Sequence, residues 1–154
     1  MKMMNTRRLR ILCAEDDPAD QYLLRRAAEK AEINGDLQLV SNGEALLRFL
    51  REGKSINDDH DADGAADLIL LDLNMPVMDG RETMNNLRHD DALKHIPIIV
   101  LSTSDGQDDV RESYQLGASS YIVKPRSFDK LVDAMVRIEN YWGELCELTD
   151  RNLI

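Results

Sequence analysis

The sequence has few cysteines and no long apolar run. Cys13 lies in a segment predicted to be a buried strand and Cys146 lies near the end, so the two are too few and too poorly placed for a disulfide framework. We therefore expect a reducing compartment, the cytoplasm. No stretch approaches the roughly 18 apolar residues of a membrane-spanning helix, and residues 1–10 lack the apolar core of a targeting segment. The sequence thus predicts no association with a membrane.

Positive charge is also scarce. The chain has 19 lysine and arginine residues against 29 aspartate and glutamate residues, which gives a formal net charge of −10. Because phosphate backbones and anionic lipids attract the opposite sign, direct binding to nucleic acid is disfavoured, and protein partners or small ligands are favoured. With 154 residues, the chain fits one domain that can bury its own core without a structural metal.

Apolar segments alternate with amphipathic ones along the chain. Short strands are predicted at residues 9–14, 37–40, 68–71, 96–101 and 120–123. A helix is predicted after each strand, with Asp17 and Asn42 suited to begin the first two, and with Gly53 and Gly117 suited to end the second and fourth. This alternation predicts an α/β fold with a parallel sheet, in which ligands bind at the carboxyl ends of the strands.

Four of the five predicted strands are followed by, or end on, residues that can handle phosphate or metal. These residues are Glu15, Asp16, Asp72, Ser102 and Lys124. Carboxylates crowded at one edge of a sheet repel each other by roughly 4 kcal/mol per close pair at an effective dielectric constant of about 20, so positive charge must offset them. Lys124 supplies one charge, and a divalent cation such as Mg²⁺ would supply the rest. A carboxylate nucleophile beside Mg²⁺, an ammonium group and a hydroxyl group suits phosphoryl transfer onto an aspartate.

Four stretches that contain these residues resemble, in order, the motifs of bacterial two-component response regulator receiver domains. They are ILCAEDDP at residues 11–18, LDLNMP at 71–76 with Asp79 and Gly80 after it, LST at 101–103, and GASSYIVKP at 117–125. The resemblance covers residues 8–140 and leaves 1–7 as a flexible N-terminal segment. It implies a flavodoxin-like, doubly wound α/β fold with five helices and a five-stranded parallel sheet in the order 2-1-3-4-5.

The resemblance also implies a metal site. Asp72 would be the phosphoacceptor, and Asp16 and Asp72 would bind Mg²⁺ directly. The backbone carbonyl of Asn74 would be a third ligand, and Glu15 would act through a water molecule. Glu15 stands where aspartate is frequent in such domains, but it keeps the carboxylate that the site needs.

The other residues carried over from the family would respond to phosphorylation. Ser102, at a position where threonine is frequent, would close its hydroxyl on the phosphoryl group, and Lys124 would pair with a phosphoryl oxygen. Lys124 is followed by Pro125, for which the resemblance implies a cis peptide bond. Tyr121 would be an aromatic switch residue, although an aromatic residue in such a strand is also often plain core.

Residues 54–66 are predicted to form a polar loop. The first half of an EF-hand calcium loop is matched by Asp59, Asp61, Asp63 and Gly64. The twelfth position of such a loop needs a bidentate glutamate, and here it is Leu70, within the third predicted strand. We therefore favour a solvated acidic loop over a calcium site.

Apolar residues recur at helical spacing from residue 128 towards the end of the chain. The fifth helix is therefore predicted to be long, with residues 141–154 as an extension beyond its own sheet. The residues expected to need a second surface are Tyr141, Trp142, Leu145 and Leu148. Pairing of two such helices would bury these residues, so the sequence predicts a homodimer. The alternative is that the helix folds back onto its own domain. This ending resembles that of the small single-domain regulators that work with bacterial and cyanobacterial phytochrome kinases, as does the run from Gly80 to Glu82.

The prediction is thus a stand-alone receiver that accepts a phosphoryl group on Asp72 from a sensor histidine kinase of the bacteriophytochrome type. With no second domain, its output would be a phosphorylation-dependent change in protein binding. It would act as a signalling protein and would handle no phosphoryl group other than its own.

Three other functions compete with this prediction. A phosphatase of the haloacid dehalogenase type also forms an aspartyl phosphate, but it needs an acid two residues after the nucleophile, where this chain has Asn74. A flavodoxin-like FMN binder shares the topology, but the carboxylates of Glu15, Asp16 and Asp17 would repel the FMN phosphate. A pseudo-receiver that only dimerises as an adaptor would never be phosphorylated.

Overall fold

The computed structural model describes residues 8–53 and 66–149. The predicted flexible segment 1–7, the end of the chain at 150–154, and the loop positions that resemble an EF-hand lie outside the described residues. Asp67, just after that loop, is buried, and its Oδ2 accepts a hydrogen bond from the backbone N–H of Arg10 at 2.9 Å. Among the described helices, none is long and apolar enough to cross a membrane.

In the described residues, five strands alternate with five α-helices, and a π-helical segment follows the last helix. The strands are β1 (Leu9–Ala14), β2 (Gly35–Val40), β3 (Leu68–Leu71), β4 (Ile98–Ser102) and β5 (Ser120–Val123). The helices are α1 (Pro18–Lys30), α2 (Gly43–Glu52), α3 (Gly80–Arg88), α4 (Gln107–Gln115) and α5 (Phe128–Ile138). All ten elements were predicted. β4 begins two residues later than expected because Pro97 has no N–H to donate to a neighbouring strand.

The strands form one parallel sheet in the order β2-β1-β3-β4-β5. This confirms the predicted fold class and strand order. In the register of the sheet, Ala14 pairs with Leu71 and Ser102 pairs with Val123. The carboxyl ends of β1, β3, β4 and β5 therefore meet at one edge, together with the polar residues that follow them.

Two hydrophobic cores lie on the two faces of the sheet. α2 and α3 pack over one face, and α1 and α5 pack over the other. The side chains of β3 alternate between the two, with Ile69 and Leu71 in the first core and Leu68 and Leu70 in the second. All four are fully buried, which explains why this strand is an uninterrupted apolar run.

The helix boundaries follow the predicted capping residues. The side chain of Asp17 accepts a hydrogen bond from the N–H of Ala19, and the side chain of Asn42 accepts one from Ala45. Gly53 ends α2 in the left-handed conformation, with φ of +69°, which glycine adopts without steric cost.

The end of the chain differs from the predicted long α-helix. α5 stops at Ile138 and continues as a π-helical segment, Glu139–Leu145. Trp142 and Leu148 pack against the second core of their own domain, so folding back, the alternative raised above, accounts for both. Both residues are only partly buried there, and the chain leaves the π-helical segment at Cys146 in an extended conformation. A second surface for these residues stays a prediction. Tyr141 and Leu145 remain exposed.

Candidate functional site

The predicted site residues lie at the edge where four strands end. β1 runs into Glu15 and β3 runs into Asp72, and the N–H of Asp72 donates to the carbonyl of Ala14 at 3.2 Å. On the other side of β3, the N–H of Lys124 donates to the carbonyl of Ser102 at 2.7 Å. The sheet register therefore brings together side chains that are up to 109 residues apart in the sequence.

Lys124 lies among three carboxylates. Its Nζ is 2.6 Å from Oε2 of Glu15, 3.1 Å from Oδ2 of Asp20 and 3.4 Å from Oδ2 of Asp72. A positive charge from Lys124 among the carboxylates at this edge was predicted, but Asp20 was not singled out. Asp20 lies in the first turn of α1, where an acidic residue is ordinarily explained by the partial positive charge of a helix N-terminus. A contact with Lys124 could be found only from the tertiary structure.

Three carboxylates form a group that could hold a cation. One oxygen from each of Glu15, Asp16 and Asp72 lies within 4.8 Å of the others, and Glu15 and Asp72 are buried. Carboxylate oxygens are the ligands that hard divalent cations prefer, so this donor set fits such an ion. The N–H of Asn74 donates to Oδ1 of Asp72 at 3.3 Å, which ties the following loop to the Asp72 carboxylate. The role of the Asn74 carbonyl as a ligand stays a prediction.

Burial and charge shift the pKa values at this edge. Burial raises the pKa of Glu15 to about 7, although the hydrogen bond from Lys124 opposes the shift. Burial by itself would lower the pKa of Lys124, but the hydrogen bond with Glu15 and the charge of Asp72 outweigh it, so the net shift is upward. Lys124 is therefore a firmly protonated cation. Burial also raises the pKa of the Cys13 thiol, which supports the reading of Cys13 as a core residue.

Ser102 and Tyr121 meet at the loop between β4 and α4. Ser102 is fully buried, and its Oγ accepts a hydrogen bond from the N–H of Ser104 at 3.2 Å. The hydroxyl of Tyr121 donates to the carbonyl of Ser104 at 2.7 Å, while its ring packs against the first core. The ring of Tyr121 is therefore partly buried in the core, and its hydroxyl is bonded to the loop that follows Ser102. Its role as a switch stays a prediction.

A second cluster of charges holds the same loop and was not predicted. The hydroxyl of Ser104 donates to Oδ2 of Asp109 at 2.5 Å, and Oδ1 of Asp109 lies 2.5 Å from Nη2 of Arg81. Nε of Arg81 also lies 3.0 Å from Oε1 of Glu112. The hydrogen bond from Ser104 is the main cause of the lowered pKa of Asp109. Through these contacts, α3 and α4 are tied to Ser104, two residues after Ser102.

Two backbone features complete the site. The Lys124–Pro125 peptide bond is trans, so the expected cis bond is wrong. The trans form is the intrinsic preference of an X–Pro bond, by about 0.5–1 kcal/mol, and it prevails here. Gly80 begins α3 so close to the end of β3 that a Cβ would lie 2.4 Å from the carbonyl oxygen of Asp72. Only glycine therefore lets α3 start directly against Asp72.

Known proteins resemble this chain in both sequence and overall fold. A family model described as the response regulator receiver domain matches residues 11–136. The response regulator Rcp1 of Synechocystis sp. is 35% identical over 138 residues, which cover 90% of this chain and 91% of that protein. A structure of Rcp1 in its Mn²⁺-bound form has a TM-score of 0.75 at 34% identity, and the match covers 91% of this chain and 98% of that chain.

Two further solved structures are similar over nearly the whole chain. The phosphorylated cyanobacterial phytochrome response regulator RcpA has a TM-score of 0.80 at 33% identity, with 94% of this chain and 100% of that chain covered. The response regulator RPA3017, from red light signaling of R. palustris, has a TM-score of 0.81 at 35% identity, with 91% and 97% covered.

Proposed function

Because this chain belongs to the response regulator receiver family, and within it is related to phytochrome response regulators, we propose that it receives its signal as a phosphoryl group on Asp72. The observation that carries this proposal is the position of Lys124, whose ammonium contacts both Glu15 and Asp72. At the same edge, Asp16 completes a set of three carboxylates that could share a cation. An acceptor carboxylate, an ammonium group and a divalent-cation site are the parts that phosphoryl transfer needs.

The donor is a phosphorylated histidine of a sensor kinase or a small acyl phosphate. An oxygen of the Asp72 carboxylate attacks phosphorus, a new O–P bond forms, and the P–N or P–O bond of the donor breaks. The electron pair of the broken bond leaves with the histidine nitrogen or with the acyl carboxylate. Lys124 donates a hydrogen bond to a phosphoryl oxygen, and Ser102 closes its hydroxyl on another. Hydrolysis later removes the group: a water oxygen attacks the phosphorus, the O–P bond to Asp72 breaks, and inorganic phosphate leaves as the carboxylate is restored. The only phosphoryl group handled is the protein's own.

Mg²⁺ is the cation proposed for the three carboxylates. Asp16 and Asp72 would hold it directly, with the Asn74 carbonyl as a further ligand and Glu15 acting through water. When bound, Mg²⁺ would neutralise charge on the carboxylates and on the phosphoryl oxygens. The carboxylate donor set supports this assignment, as does the Mn²⁺-bound form of the related Rcp1. Mg²⁺ and Mn²⁺ both accept oxygen ligands of this kind.

The output is a change in protein binding. Drawing Ser102 towards a phosphoryl group would disturb its hydrogen bond from Ser104, and Tyr121 is bonded to the carbonyl of the same residue. The β4–α4 loop and the exposed start of α4 would therefore present a different surface after phosphorylation. A coupling free energy of roughly 1–3 kcal/mol between site and surface is enough to change partners.

The proposed upstream partner is a bacteriophytochrome-type histidine kinase in the cytoplasm, because the related RcpA and RPA3017 are described as phytochrome and red-light regulators. The net charge of −10 argues against nucleic acid and anionic membranes as partners. We also propose a homodimer through α5 and the π-helical segment. Tyr141 and Leu145 are the exposed apolar residues there, and they would carry the contact more than the packed Trp142 and Leu148.

One experiment tests acceptor and assembly together. Wild type and Asp72→Asn are incubated with acetyl phosphate and Mg²⁺, and both intact mass and sedimentation are measured. We expect wild type to gain one phosphoryl group with a changed sedimentation coefficient, and Asp72→Asn to gain none. Phosphorylation of Asp72→Asn at the wild-type rate would contradict the proposal, and wild type that gains no mass would favour a pseudo-receiver.

A further inference from the structure

Asp20 is a carboxylate at Lys124 that phosphoryl transfer does not require. An ammonium group has three N–H donors. In the described structure, Nζ of Lys124 has three carboxylate partners, with Asp20 at 3.1 Å between the shorter contact to Glu15 and the 3.4 Å contact to Asp72. All the donors of Lys124 are thus engaged before any phosphoryl group arrives, and the acceptor carboxylate has the longest contact of the three.

The place of Asp20 is set by the start of α1. Asp17 begins the helix through its hydrogen bond from Ala19, and the side-chain amide of Gln21 donates to the carbonyl of Glu15 at 2.5 Å. These two contacts fix the first turn of α1 against the end of β1. The position of this turn places the Asp20 carboxylate within reach of Lys124.

The three partners of Lys124 differ in how easily they can return to water. The side chain of Asp20 is 37% exposed, against 2% for Glu15 and 10% for Asp72. Releasing a buried carboxylate from its cation is costly, whereas a partly exposed one is rehydrated at once. When a phosphoryl oxygen needs a hydrogen bond from Lys124, the contact with Asp20 is the one that breaks most easily.

We propose that Asp20 is a positioning residue that holds the Lys124 ammonium away from Asp72 and thereby limits the rate at which Asp72 is phosphorylated. This inference rests on the proposed function of Asp72. In the free protein, Asp20 competes for Lys124, and during transfer the incoming phosphoryl oxygen displaces it. Asp20 then turns to solvent while Glu15 keeps its shorter contact with Lys124.

The test is the rate of phosphorylation of Asp20→Asn by acetyl phosphate at saturating Mg²⁺, measured over a range of donor concentrations. Asparagine keeps the size of the side chain but removes the charge that attracts Lys124. We expect the maximal rate to rise by roughly two- to fivefold, the effect of one partly exposed ion pair. A far-ultraviolet circular dichroism spectrum and a melting curve would check that the variant is folded.

Two matched variants separate positioning from general charge. Glu29→Gln makes the same charge change at an exposed position on the same helix. If removal of a negative charge only eases the approach of an anionic donor, both variants would lower the donor concentration for half-maximal rate and leave the maximal rate unchanged. Positioning predicts a higher maximal rate for Asp20→Asn alone, and a rate close to wild type for Asp20→Glu.

The outcomes distinguish this inference from the proposed function. An unchanged or lower maximal rate in Asp20→Asn, or an equal rise in Glu29→Gln, would overturn the role of Asp20 while Asp72-dependent phosphorylation remained. If instead Asp72→Asn is phosphorylated as fast as wild type in the same assay, the proposed function itself fails.

Discussion

Two clusters in this fold each place one cation among carboxylates, and they differ in burial and in charge balance. The Lys124 cluster lies at the strand ends and consists of Lys124 with Glu15, Asp16, Asp20 and Asp72. Its four carboxylates and one ammonium leave a formal charge of −3. The Arg81 cluster between α3 and α4 consists of Arg81, Asp109 and Glu112, with a formal charge of −1.

Solvent screens the two clusters unequally. In the Lys124 cluster, the side chains of Glu15, Asp72 and Lys124 are at most 15% exposed and that of Asp20 is 37% exposed. The three side chains of the Arg81 cluster are 28–48% exposed. Buried charge of one sign costs folding free energy unless a further cation neutralises it, but screened and nearly balanced charge costs little. The comparison indicates that a further cation would stabilise the Lys124 cluster more than the Arg81 cluster.

The largest expected difference between the clusters is in how much stability is lost when the lysine or arginine side chain is replaced. Lys124→Met leaves two buried carboxylates without their ammonium, and we expect it to lower the free energy of unfolding by about 3 kcal/mol in the absence of divalent cations. Arg81→Met, the matched change in the other cluster, should cost less than about 1 kcal/mol. Urea unfolding of both variants measures this, and equal losses would contradict the distinction.

The next difference is the response to Mg²⁺ and pH. A free Mg²⁺ concentration of roughly 100 times its Kd should raise the free energy of unfolding of wild type by about 2.7 kcal/mol. Because burial raises the pKa of Glu15 to about 7, this carboxyl takes up a proton below that pH and loses its attraction for the ion. Mg²⁺ affinity should therefore rise between about pH 6 and about pH 8.

Glu15→Gln is the control for that pH dependence. It cannot lose a proton in this range, so we expect weaker Mg²⁺ binding with a flatter pH profile, as measured by calorimetric titration. Asp109→Asn, in the Arg81 cluster, should leave both the affinity and its pH dependence as in wild type. A pH profile that is equally steep in Glu15→Gln would assign the proton to another group.

The smallest expected effect is on the loop held by the Arg81 cluster. Asp109→Asn weakens the hydrogen bond from the Ser104 hydroxyl, which itself accepts a hydrogen bond from the N–H of Gly106. We expect the amide hydrogens of residues 104–106 to exchange roughly two- to threefold faster, with the strands unaffected. Nuclear magnetic resonance exchange rates measure this, and Glu112→Gln, which leaves the Ser104 contact intact, should change them less.

Much of the site could be predicted because it depends on strand register. Glu15, Asp72 and Lys124 follow strands whose apolar patterns are plain in the sequence, and parallel strands bring their carboxyl ends to one edge. The contact of Lys124 with Glu15 and Asp72 follows from that geometry. Helix starts such as those at Asp17 and Asn42 were predictable for a similar reason, because capping depends on hydrogen bonds between residues two or three apart.

The contacts that the sequence did not predict lie between separate elements. Local sequence patterns do not specify how such elements are rotated or how far apart they lie. Asp20 meets Lys124 only because α1 lies at one angle on the sheet, and Arg81 meets Asp109 only because α3 and α4 are neighbours. The same holds for Trp142, whose apolar side chain is equally compatible with a second chain and with its own core. In this structure Trp142 packs, partly buried, against the second core.

The amino-acid sequence by itself determined the order of the strands and helices, the acidic character of the chain and the residues that stand at the strand ends. These depend on short-range periodicity, on capping and on composition. The tertiary structure alone decided which carboxylates share Lys124, how Ser104 links Tyr121 to the Arg81 cluster, and against which core Trp142 packs. Such contacts depend on how whole helices and strands pack together, and this packing is fixed only when the two cores are formed.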